Sequence, residues 1–179
     1  MDDHEIVTRL YQRYAHALFK YIFSSLSPRE DAEDILVEVF LAALRYQGLA
    51  RMNEQQQFAW LIAVARNKLT DWHRRNSRFP HTSLEQVLPF MEQEFVEPDE
   101  PEIVMLKREE YALLKMHLSQ FPETQREVLR LRFIMGLRHA EIGRLLGKSE
   151  GAIQGIFWRA IHSLRSLYQQ EARSRGTYE

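Results

Sequence analysis

Between Phe58 and Arg78 the chain reads FAWLIAVARNKLTDWHRRNSR, in which Arg66, Lys68, Arg74, Arg75 and Arg78 are interleaved with Trp60, Trp72 and His73. Guanidinium and ammonium groups neutralise phosphate charge, and aromatic rings give unstacked bases a surface to lie on. The mixture therefore suits single-stranded nucleic acid. The same residues also fit a plainer role, with both tryptophans in a core and the arginines on a solvated face.

A second stretch, LLGKSEGAIQGIFWRAIHSLR from Leu145 to Arg165, reads as two helices joined by a tight turn, the spacing of a helix-turn-helix. In that motif the first residues of the second helix face base edges, here Ser149, Glu150, Ala152, Ile153 and Gln154. Gln154 can pair with adenine through two hydrogen bonds, Glu150 can accept one from cytosine, and Ala152 can meet a thymine methyl. Lys148 and Arg159 are candidate phosphate contacts, and Trp158 completes the set. Ile156, Phe157, Ala160, Ile161 and Leu164 are expected to hold the helix onto Leu137, Ile142, Leu145 and Leu146. An ordinary helical hairpin in a core has the same spacing.

The third stretch, REDAEDILVEVF, places Glu30, Asp34 and Glu38 at i, i+4 and i+8 with Asp31 beside them, an acidic face on one helix. It could serve a metal or acid-base site, or dock a basic partner. No histidine accompanies these carboxylates at ligand spacing and no HExxH occurs, so docking is the better fit.

These residues need helices to position them. Ile6, Leu10, Tyr14, Ala17 and Tyr21 fall on one face of a first helix, expected to end near Ser25. Ser27, Pro28 and Glu30 suit the N-cap, first helical position and capping-box return of a second helix, which buries Ala32, Ile35, Val39, Phe40 and Ala43 and stops near Gly48. A third, from about Glu54 to Arg75, carries Phe58, Leu61, Ile62, Ala65, Leu69 and Trp72 at helical spacing. From Thr82 to Leu106 there are seven acidic residues and no basic one. Charge repulsion and proline there favour an extended linker, able to reach ~70 Å when stretched. A helix is then expected from about Pro101 through IVMLKREEYALLKMHLSQF, and three shorter ones after it. PETQREVLRLRFIMG ends on Gly136, HAEIGRLLG closes on Gly147, and the last helix is capped by Ser149, with Glu150 at its positive end. After Arg165 only a short polar tail is expected.

The fold class is therefore all-α: two small helical domains, 1–78 and 101–179, joined by an extended acidic linker over 79–100, the C-terminal domain a helix-turn-helix. The absence of cysteine excludes disulfides and thiol chemistry, and a net charge of −1 means that any nucleic-acid binding must come from local patches. No P-loop, dinucleotide fingerprint or nucleophile elbow is present, and no catalytic residue or cofactor is expected. The acidic, amphipathic N-terminus MDDHEIVTRL is unlike a signal peptide, and a soluble cytoplasmic protein is the expectation.

Taken in order, REDAEDILVEVFLAAL, FAWLIAVARNKLTDWHRR and FPETQREVLRLRFIMGLRHAEIGRLLGKSEGAIQGIFWRAIHSLR resemble the extracytoplasmic-function (group IV) sigma factors of bacterial RNA polymerase. The resemblance covers nearly the whole chain. It implies that Asp31, Asp34 and Glu38 grip the clamp helices of core RNA polymerase. It implies that Phe58, Trp60, Arg66, Asn67, Asp71, Arg74 and Arg75 open and read the −10 element of promoter DNA. It implies that the helix from Ser149 to Arg165 reads the −35 element and that its surroundings dock on the polymerase flap. The partners expected are core RNA polymerase, promoter DNA and an anti-sigma factor, with no membrane and a monomeric free state. Several positions depart from the family pattern. Val37 stands where a polar residue, often Gln, is common. Gln154, Ile156 and Ile161 replace basic residues of the last helix, and Gly155 weakens that helix by up to ~1 kcal/mol relative to Ala. Loss of two or three phosphate contacts would shrink the salt dependence of binding by about 2 to 3 units. A stand-alone helix-turn-helix regulator and a polymerase-binding adaptor are the competing readings.

Overall fold

The computed structural model describes residues 3–26, 28–76, 112–114 and 116–175. The expected acidic linker over 79–100, the start of the helix predicted from Pro101, and Ser27 lie outside them. The chain divides into two compact units, Met1–Val87 and Leu88–Glu179.

In the first unit, α1 (Asp3–Phe23), α2 (Arg29–Arg45) and α3 (Glu54–Asn76) pack as a three-helix bundle, with one 3-10 turn at Leu49–Arg51. The 3-to-4 periodicity of apolar residues builds its core. Ile6, Leu10 and Tyr21 of α1, Ala32, Ile35, Val39, Phe40 and Ala43 of α2, and Leu61, Ile62, Ala65 and Leu69 of α3 are all buried. The first helix stops slightly short of Ser25, because the Ser24 hydroxyl donates to the Tyr21 carbonyl at 2.7 Å and competes for the helix end. The predicted start of α2 is corrected too. Pro28 is extended, at φ −89° and ψ 176°, and so stands one place before the helix, with no side-chain cap bond. Asn53 and Gln56 form the reciprocal cap of α3. The Asn53 amide donates to the Gln56 side chain and the Gln56 amide to that of Asn53, each at 2.9 Å.

The second unit has helical residues at 112–114 and 116–119, followed by α4 (Glu123–Phe133), α5 (His139–Leu146) and α6 (Glu150–Arg175). Gly147, at φ 64°, takes the left-handed conformation that ends α5, and the Lys148 amide donates back to the Gly143 carbonyl at 2.9 Å. The Ser149 hydroxyl accepts from the Ala152 amide at 3.2 Å, so α6 begins with the expected cap. At the other end α6 is longer than predicted. Instead of a tail after Arg165, the helix runs to Arg175, because Leu167 continues the apolar spacing of Ala160 and Leu164. Leu167 packs in the cluster of Leu118, Phe121, Leu129, Phe157, Ala160, Ile161 and Leu164. Beyond it, Glu171 meets the buried His117 at 3.1 Å, and Tyr168 sets its ring edge-on to the same histidine. Ala160 and Leu164 share this cluster with Leu118, Phe121 and Leu129, while α6 also packs along α5, where His139 meets Phe157 with ring centroids 5.1 Å apart. The predicted partners Leu137 and Ile142 are buried without belonging to this cluster.

Candidate nucleic-acid interface

At 100° per residue, Trp60, Asn67, Asp71 and Arg74 fall within about 60° of one another on α3. They form a single stripe running from a half-buried aromatic to three exposed polar side chains. Arg74 reaches back to Asp71 at 3.1 Å, one turn away, which fixes the guanidinium along the helix surface. Asp71 thereby positions a cation more than it adds net charge. At the N-terminal end of the stripe Trp60 is stacked on Tyr46, with ring centroids 4.9 Å apart and planes 23° from parallel.

The other residues predicted for this site point elsewhere. Phe58 stacks on Tyr14 of α1 at 4.4 Å, beside a Tyr14 hydroxyl that donates to Glu54 at 2.9 Å. Burial and that bond hold the Tyr14 phenol above its ordinary pKa. Phe58 is thus part of the α1–α3 seam. Arg66 lies about 120° from the stripe, and its carbonyl accepts from the Thr70 hydroxyl. Arg75 lies toward α2, in a cleft whose lining includes Trp72, Asp31, Asp34 and Glu38. Lys68 closes one side of that arrangement, with its ammonium 2.8 Å from Glu38. The acidic residues predicted to bind a partner and part of the basic set predicted to bind nucleic acid therefore share one cleft. Sequence spacing places each set on its own helix but not against the other.

The exposed face of α2 next to that cleft has a different character. Val37, Leu41 and Leu44 recur at i, i+4 and i+7 and are 56%, 42% and 42% exposed, continuing a stripe that starts at Glu30 and Asp34. A stripe that is acidic at one end and apolar at the other is suited to a helix carrying a basic residue beside aliphatic ones.

On α6 the outward face carries Glu150, Gln154 and Trp158, spaced a turn apart, with Gly151, Gly155 and Arg159 beside them; all are exposed. Trp158 is 61% exposed and sits edge-on to Phe157 at 5.4 Å, and Phe157 also approaches the exposed Phe133 at 5.9 Å. Arg159 bends back to the Gly155 carbonyl at 3.1 Å. Lys148 and Ala152 are exposed, as is Ser149, which is spent on the cap. Ile153 is corrected: it is fully buried, at 0% exposure, because it falls on the same side of α6 as Ala160, and it cannot reach a base edge. At the start of α5, Glu141 accepts from the Arg138 amide at 2.8 Å, which with the neighbouring guanidinium holds its carboxyl below the usual range.

Among the described residues no group of three or more His, Asp or Glu is placed to hold a metal ion, and no helix is long and apolar enough to cross a membrane.

The first unit is thus a helical bundle with a polar and aromatic stripe on α3, and the second is a separate helix-turn-helix unit. The family model described as Sigma-70 region 2 matches residues 10–79, and that described as Sigma-70, region 4 matches residues 117–166. The chain is 34% identical over 166 residues to the ECF RNA polymerase sigma factor BldN of Streptomyces coelicolor, covering 92% of this chain and 61% of that protein. It thus spans less than two thirds of that relative's length. It is 34% identical over 142 residues to the ECF RNA polymerase sigma factor ShbA of Streptomyces griseus, covering 78% of this chain and 70% of that one. Its fold is similar to that of the sigma factor RpoE of Bartonella quintana, solved with the anti-sigma factor NepR, at a TM-score of 0.65 and 18% identity over 90% of this chain and 96% of that one. The chain belongs to the extracytoplasmic-function RNA polymerase sigma factors, the subunits that direct RNA polymerase to promoters for transcription initiation.

Proposed function

We propose that the two units divide promoter recognition: the first docks on core RNA polymerase and captures the opened −10 strand, and the second meets −35 duplex DNA. The observation that carries this is the α3 stripe of Trp60, Asn67, Asp71 and Arg74. It combines a stacking surface, hydrogen-bonding groups and a held cation along one line that a single strand can follow. The α2 stripe of Asp34, Val37, Leu41 and Leu44 is the polymerase-docking face, with Asp31 and Glu38 around its edge. On α6, Gln154 and Trp158 are the main base-edge contacts, with Lys148 and Arg159 toward phosphates. With few cations there, binding by the free chain is weak, and attachment to polymerase supplies the local concentration, as tethering does without new contacts. The linker over 79–100, with six acidic residues and no Lys or Arg, then occupies polymerase channels in place of nucleic acid.

The chain acts in the cytoplasm as a monomer without catalytic activity of its own, and an anti-sigma factor covers it when it is idle. Support for the last point is that its structural neighbour RpoE was solved with one.

In vitro transcription with core polymerase, this chain and a random promoter library tests the assignment. Transcripts should initiate only when the chain is present and share paired −10 and −35 sequences. Polymerase binding without any initiation would favour an adaptor instead.

A further inference from the structure

Lys68 belongs to the basic segment of α3 by type but not by direction. At 100° per residue it lies about 60° to 120° away from Trp60, Asn67, Asp71 and Arg74 around the helix. Its ammonium crosses instead to α2 and meets Glu38 at 2.8 Å, the two side chains being 35% and 45% exposed. Glu38 lines the cleft that also holds Asp31, Asp34, Trp72 and Arg75. Arg75 plays a different part there. Its Nε donates to the Asp71 carbonyl at 3.3 Å, one turn back on its own helix, so it forms part of the cleft wall. Lys68 takes up an oxygen of a docking carboxylate.

An ion pair this exposed adds little to the stability of the bundle, because water screens it and two long side chains must be held still. Its larger consequence falls on whatever else binds Glu38. A basic partner reaching that carboxylate must displace the ammonium or share Glu38 with it. Displacement exchanges one ion pair for another, and sharing sets two cations side by side. In both cases the attraction that Glu38 offers from outside is reduced before the partner arrives.

We infer that Lys68 is an internal competitor at the docking face: it occupies Glu38 in the free chain and lowers the affinity for core polymerase by standing where a partner's cation binds. This rests on the assignment of the α2 carboxylates to polymerase docking. A contact that served only to tie α2 to α3 would have the opposite effect when cut, since loosening the two helices weakens a surface built on both.

The test measures binding of the full chain to core polymerase without DNA, with thermal unfolding as the check that each variant is folded. Lys68→Met keeps the apolar stem and removes the charge. It should bind about threefold to fivefold more tightly than wild type at low salt, and the gain should fade toward about 1 M salt, where screening acts over about 3 Å. Lys68→Arg, which keeps the charge, should stay within about twofold of wild type. Glu38→Gln should weaken binding, and in that background Lys68→Met should change affinity by less than about twofold, because the lysine acts through Glu38. Binding that is unchanged or weaker with Lys68→Met, while Glu38→Gln weakens it, overturns the inference. So does an equal gain from Lys68→Met in both backgrounds, which would mean that the lysine acts without occupying Glu38. If Glu38→Gln and Asp34→Asn both leave binding untouched, the docking assignment itself falls and takes the inference with it.

Discussion

On α3 the outward stripe gathers Trp60, Asn67, Asp71 and Arg74 beside a stacked Tyr46, whereas on α6 Gln154 and Trp158 stand among Gly151 and Gly155. A single strand has to be held base by base after its pairing is lost, so its binding surface needs rings and donors fixed in advance. A duplex keeps its own shape, and a helix can read it with one or two well-placed side chains if something else holds it nearby. The bare α6 face is consistent with a reader that is presented to DNA by its partner.

The sharpest way to break this comparison lies in two adjacent residues of α6. Ile153→Ala empties a fully buried site and should cost about 2 to 5 kcal/mol in urea denaturation. Gln154→Ala should leave unfolding within about 0.5 kcal/mol of wild type, yet alter preference among −35 variants by about 1 to 3 kcal/mol. Comparable stability losses at both positions would mean that α6 is rotated from the orientation described.

On α3 a second pair separates strand capture from docking. Arg74→Ala should lower open-complex formation about tenfold, read by permanganate reactivity, with core-polymerase affinity unchanged. Arg75→Ala should reduce both, because Arg75 shares its cleft with Asp31, Asp34 and Glu38. Equal behaviour of the two variants would dissolve the distinction between stripe and cleft.

Smaller effects sharpen the account of α6. Gln154→Lys should steepen the logarithmic salt dependence of holoenzyme binding by about one unit, the signature of one added phosphate contact. Glu141→Gln should destabilise the chain at neutral pH by about 0.5 kcal/mol, because the glutamine oxygen can still accept from the Arg138 amide but the negative charge beside that amide and the Arg138 guanidinium is lost. Because folding lowers the Glu141 pKa, this contribution is present above the unfolded-state pKa and disappears as pH falls through the folded-state value. Wild type and Glu141→Gln should therefore converge in stability under acid, as followed by denaturation at several pH values.

The helices were legible because their signals are local. Apolar spacing in α1 to α3, Ser149 before α6, and Gly147 after α5 each act within a turn or two of themselves. The shared face of the residues expected at the −10 element was legible only in part. Residue types gathered the expected residues on one helix, but Phe58, Arg66 and Arg75 differ from Trp60, Asn67, Asp71 and Arg74 in which neighbour they face, and a list of residue types carries no angle. Ile153 failed for the same reason, since an isoleucine at a helix start suits a groove contact and a core contact equally until the bundle fixes the rotation. Tyr46 carried one signal that could have found it, an aromatic two residues before a glycine in a short interhelical loop, but nothing there linked it to Trp60.

The sequence by itself determined the helical class, the boundaries of the described helices to within about three residues except at the end of α6, and the family. Backbone hydrogen bonding, capping and apolar periodicity are written in neighbouring residues. Only the tertiary structure decided that α6 runs on to Arg175, that acidic and basic sets share one cleft, and that Tyr46 rests on Trp60. Each of these depends on side chains brought together from distant parts of the chain by core packing, and packing fixes directions that residue order leaves open.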